Sequence, residues 1–171
     1  MQERKHAATM KGTPLTLIGP ERTIGEKAPE FTVLRNDLTP AGLKDFAGNI
    51  KLIASVPSLD TPVCDRETRR FNSEAAGLGE DVVILTISMD LPFAQARWCG
   101  AAGIDRVITL SDHREASFGT AYGVLIKELR LLNRAVFVVD RDDIIRYVEY
   151  VRENTEFPDF DAALQAARSL A

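Results

Sequence analysis

Two β-prone apolar runs, residues 50–56 and 81–88, enclose a stretch with helical spacing from 62 to about 78. The second run is apolar almost without interruption, as strands are in a sheet covered on both faces. In the helical stretch Cys64, Phe71, Ala75 and Leu78 lie near one face, and Gly77 and Gly79 end it. The alternation continues downstream. A helix is expected over 90–100, with Asp90 or Leu91 capping and Pro92 early, then a strand over 107–110. A short helix over 115–122 stops at Gly123, and strands 134–139 and 144–149 form a hairpin turning at 140–143. Residues 159–171 form a closing amphipathic helix. Upstream, residues 9–19 read as a hairpin turning near Gly12 and Thr13, 30–34 as a short strand, and 37–49 as a loop. The order βαβαβαββα after an N-terminal β-hairpin implies an α/β fold, a mixed central sheet flanked by helices. Residues 1–8 are expected to be a flexible polar tail and 9–171 a single domain, with no repeat or linker.

Composition narrows the function. The chain has 171 residues, enough for a real core. Its net charge is -4, its pI is near 5.3, and it has no long basic run. That argues against nucleic acid or an anionic membrane as the main partner. The charged first six residues lead into no apolar stretch, so no secretory signal is read and a cytoplasmic protein is expected. Two cysteines are no disulfide scaffold. In a reducing compartment they are structural thiols, metal ligands or redox-active residues.

Cys64 is the one placed for reactivity. Thr61 precedes a proline, which pushes it toward the extended geometry of an N-cap. Pro62 suits the first helical position, where its missing N–H costs nothing. Cys64 then falls at the third helical position, near unpaired N–H groups and the positive end of the helix dipole. A thiol there tends to ionise, and the thiolate is the nucleophile.

Pro57, Thr61 and Cys64 match Pro-x-x-x-Thr/Ser-x-x-Cys, the active-site motif of the peroxiredoxins, which this chain resembles. Residues 93–100, ending Trp98-Cys99-Gly100, look like the resolving-cysteine helix of the bacterial thiol peroxidase branch, the atypical 2-Cys type. Residues 134–140 look like the strand that carries that family's active-site arginine, and 11–17 and 25–31 match its N-terminal hairpin and lead-in. Residues 123–133 depart from the pattern, being more apolar and charged.

The resemblance implies a thioredoxin-like fold of peroxiredoxin type and reduction of hydrogen peroxide or organic hydroperoxides without metal, haem or flavin. It implies Cys64 as peroxidatic thiolate, oxidised to a sulfenic acid. Cys99 would resolve it as an intramolecular disulfide, Arg134 and Thr61 would hold the peroxide, and Pro57 would shield the sulfur. It also implies thioredoxin as reductant and a homodimer. Because disulfide geometry needs Cα atoms within about 7 Å, local unwinding around both cysteines is expected on oxidation. Trp98, the only tryptophan, should report it.

Rival readings are weaker. A peroxide sensor could use the same cysteine pair to oxidise a partner. A thioredoxin-like oxidoreductase would want Cys-x-x-Cys, which is missing. Cys64, Cys99 and His113 lack the paired spacing of a structural zinc site. No Gly-x-Ser-x-Gly elbow or phosphate-binding loop occurs.

Overall fold

β-Strands with apolar residues at both odd and even positions can only be satisfied between two covering layers. The computed structural model, which describes all residues from Met1 to Ala171, builds its main sheet from such strands. These are β5 (Ile50–Ser55), β6 (Val82–Ser88), β7 (Val107–Ser111) and β9 (Ala135–Val139), extended by β3 (Thr32–Leu34), β4 (Pro40–Gly42) and β10 (Ile145–Tyr150). The strand order is β10-β9-β5-β6-β7-β3-β4. Strands β5, β6 and β7 run parallel, and β9 pairs antiparallel with β5. The sheet is therefore mixed, as the element order implies.

Period-two alternation divides the core between the faces. Ile50, Leu52 and Ala54 of β5 and Val136 and Val138 of β9 pack with Phe71 of α1 (Pro62–Ala75) and Leu164 of α4 (Phe160–Leu170). Ile53, Ala135, Phe137 and Val139 point the other way, onto Phe118 of α3 (Ser117–Ala121) and Tyr122. Helix α1, which carries Cys64, thus packs on a sheet in which β5 is wholly buried. The remaining long helix, α2 (Pro92–Ala102), carries Cys99 and packs on β7.

Three segments depart from the sequence expectations. Residues 3–8, read as tail, belong to β1 (Glu3–Met10), which pairs with β2 (Thr13–Ile18). A register shift between Arg4 and Ala8, with His6 at φ 56°, breaks the alternation that would have exposed the strand in the sequence. The Arg4 guanidinium anchors it by donating to the carbonyls of Gly19 and Gly123. Residues 37–49 hold β4 and a 3-10 turn, Leu43–Phe46, where only a loop is expected. The apolar stretch within 123–133 contains β8 (Leu125–Ile126), which joins β2, and Ile126 packs on Ala8, Leu15 and Leu17 beneath the hairpin. That apolarity closes the hairpin onto the body of the molecule. No helix is long and apolar enough to cross a membrane.

Candidate active site

β5 delivers the chain to the site. The last sheet bond along it is Val56 N–H to the Ile87 carbonyl, 3.0 Å, and Pro57, buried and lacking an N–H, ends the pairing. Thr61 has the extended backbone of an N-cap, φ -116° and ψ 150°, and Pro62 opens α1, as expected. The Thr61 hydroxyl does not cap. It donates instead to the Ser58 carbonyl at 2.8 Å, which tightens the turn. Cys64 occupies the third helical position and is 0 % exposed.

Arg134 lies just before β9 and is equally buried. Its Nη2 donates to Cys64 Sγ at 3.2 Å and to the Asn154 carbonyl at 2.8 Å, while Nε donates to that carbonyl at 3.2 Å. Nη1 donates to Glu67 Oε1 at 3.0 Å. The arginine backbone is fixed as well, its N–H donating to Asn154 Oδ1 at 2.8 Å. Asn154 Nδ2 in turn donates to Asn133 Oδ1 at 2.7 Å. A planar fork with several fixed donors is thus aimed at the sulfur in a buried site, where it can stabilise negative charge that passes between sulfur and a bound oxygen.

Glu67 and Asn154 belong to this site but carry no sequence expectation. Glu67 follows Cys64 by three residues, the spacing that shares a helix face, and that was the available signal. Its carboxyl is pushed up to about 7, because burial outweighs the opposing pull of Arg134. Its second oxygen, Oε2, is buried with no hydrogen-bond partner. Asn154 comes from a turn after β10, with no motif to mark it.

Cys99 is not brought to Cys64. Both thiols are free. Cys99 Sγ lies 3.4 Å from Thr109 Oγ1 on β7, and that hydroxyl donates its one proton to Asn36 Oδ1 at 3.1 Å. The sulfhydryl is therefore the donor to Thr109. Its neighbour Trp98 faces the other way and packs against Val56, Leu59 and Cys64. Outside that cluster a cleft of about 680 Å³ is lined by Ser58, Leu59, Asp90, Phe93, Arg97 and Trp98 among others.

A family model described as Redoxin matches residues 23–164. The chain is 62% identical over 156 residues to a thiol peroxidase of Oceanobacillus iheyensis, covering 91% of this chain and 94% of that protein. It is 57% identical over 162 residues to a thiol peroxidase of Bacillus subtilis, covering 95% and 96%. Among solved structures, a peroxiredoxin-like protein from Aquifex aeolicus superposes with a TM-score of 0.90 at 40% identity, over 97% of this chain and 98% of that one. A thiol peroxidase from Chromobacterium violaceum gives 0.82 at 26% identity, over 95% of each. With the fold and the Cys64–Arg134 pair in view, these likenesses make the chain a member of the redoxin family, in its bacterial thiol peroxidase branch.

Proposed function

We propose that the chain reduces hydroperoxides by a two-cysteine cycle, with Cys64 peroxidatic and Cys99 resolving. The observation that carries it is the buried Arg134 fork, 3.2 Å from a sulfur at a helix N-terminus. The Cys64 thiolate attacks the terminal peroxide oxygen. An S–O bond forms, the O–O bond breaks, and the alkoxide or hydroxide leaves to take a proton from water. Sulfur gives up two electrons and becomes a sulfenic acid. Arg134 stabilises the charge as it spreads from sulfur to oxygen. Thr61 holds the peroxide: with its proton on the Ser58 carbonyl, its oxygen can accept the peroxide O–H, and it donates to peroxide only after turning from Ser58. Pro57 shields the sulfur side of the pocket.

Cys99 then attacks the sulfenic sulfur. The S–S bond forms, the S–O bond breaks, and water leaves with the Cys99 proton. An external dithiol restores both thiols, and the family resemblance supports thioredoxin in that role, in the cytoplasm. It also supports a homodimer, and the exposed Leu91 and Phe93 beside the cleft suit a protein partner.

Peroxide consumption with thioredoxin, thioredoxin reductase and NADPH tests the function. The wild type turns over steadily and Cys64→Ser does not. A wild type that instead accumulates a mixed disulfide with poor turnover would point to a sensor.

A further inference from the structure

Asp90 stands between β6 and α2 and touches neither sulfur, yet its carboxylate holds the loop that leads to Cys64. Oδ1 accepts from Ser58 Oγ at 2.7 Å. Oδ2 accepts from Leu59 N–H at 2.9 Å and Ser88 Oγ at 2.7 Å. The Asp90 carbonyl accepts from Ser111 Oγ on β7. Gln95, in the first turns of α2, donates to both Ser88 Oγ and the Leu110 carbonyl, at 3.0 and 2.8 Å. One carboxylate therefore joins the 57–61 loop to the base of the helix that carries Cys99. Hydrogen bonds to a carboxylate are the strong kind.

The clasp acts on the residues that cover the sulfur. Leu59, whose N–H it holds, packs on Cys64 beside Trp98. Successive helical residues point about 100° apart, so Trp98 faces Cys64 while Cys99 faces Thr109. A disulfide requires Cys99 to leave Thr109 and reach a sulfur covered by the cluster on which Trp98 packs, so the 57–61 loop, the start of α2, or both must come loose. Arg69 also links α1 to α2, through the Ala102 carbonyl at its end and over the Trp98 ring, and Asn72 accepts from Arg106 N–H in the segment after α2.

We propose that Asp90 is a positioning residue that sets the balance between the two chemical steps. With the clasp closed, Cys64, Arg134 and the loop keep the peroxide-reactive arrangement. With it open, Trp98 swings away and Cys99 reaches the sulfenic acid. This inference rests on the two-cysteine cycle proposed above.

The test is rapid quenching with a thiol alkylator, read by intact mass, in wild type, Asp90→Asn, Asp90→Ala and Ser58→Ala. In the Asp90 variants sulfenic acid formation should slow, by about tenfold, while conversion of sulfenic acid to disulfide speeds up several-fold. Sulfinic acid at excess peroxide should fall, because the sulfenic acid lives a shorter time. Ser58→Ala, which keeps the Leu59 contact, should shift both steps the same way by less, and it decides the matter if the Asp90 variants do not fold. A disulfide step that is unchanged or slower overturns the clasp. A wild type that forms no Cys64–Cys99 disulfide overturns the cycle instead.

Discussion

Arg134 serves two acids at once, the Cys64 sulfur and Glu67 Oε1, and all three side chains are buried. Burial pushes the Glu67 carboxyl from the usual 4.5 up to about 7, against the pull of Arg134. The stability this group contributes is complete below about 4.5 and is lost as pH rises through about 7. Glu67→Gln, which keeps the shape without the charge, should remove that part of the pH dependence. Denaturant melts of both proteins at pH 5 and pH 8 check it: the wild type should lose more stability between them than the variant. Arg134→Ala should do greater damage, since it removes the donor to Cys64 Sγ, Glu67 and the Asn154 carbonyl together and pushes the Glu67 carboxyl up further. The melting temperature should drop below the wild type's and sulfenic acid formation should slow. Cys64, Arg134 and the extended backbone at Thr61 were legible because each sits on a motif or an elementary rule of helix starts. The Thr61 hydroxyl was not, since the Ser58 carbonyl competes for it. Glu67 was hidden in the run Asp65-Arg66-Glu67-Thr68-Arg69-Arg70, which reads as a solvated face. Only the fold buries Glu67, together with Thr68 beside it.

Two glycines weaken the C-terminal end of helix α2. Gly103 ends it in the left-handed region, φ 69°, and Gly100 sits one turn earlier with open space where a Cβ would be. Gly100→Ala should stabilise α2 by about 0.5–1 kcal/mol and, if the helix unwinds on oxidation, slow disulfide formation. Thermal melts and quenched time courses check the two effects together. Among the strands, β5, β6 and β9 were legible because each is long enough and apolar enough to admit one reading. β4 (Pro40–Gly42) and β8 (Leu125–Ile126) were not, being strands of three and two residues; β4 folds back on nearby β3, and β8 is held by β2, far away in sequence. β1 was hidden by its bulge, which spoils the period-two pattern at His6.

Across the whole molecule, the order of helices and strands could be read along the chain, but the order of strands in the sheet could not. β3 reaches its place beside β7 through a single pairing, Leu34 with Ser111, between segments that no local rule connects. The cleft raises a similar question of assembly. Phe93, 67% exposed, lines it, Leu91, 52% exposed, lies two residues earlier, and the homodimer proposed above would use this face. Phe93→Asp should then shift the protein toward monomer in sedimentation experiments, with its melting transition otherwise intact. What the two cysteines do together outranks these questions. The most direct measurement is intact mass and free-thiol count after one equivalent of hydroperoxide meets the reduced protein, with Trp98 emission followed alongside. The two-cysteine cycle predicts rapid loss of both thiols, a Cys64–Cys99 disulfide within one chain, and a change in emission as Trp98 leaves Cys64. Survival of both thiols, or reaction no faster than that of free cysteine, would contradict it.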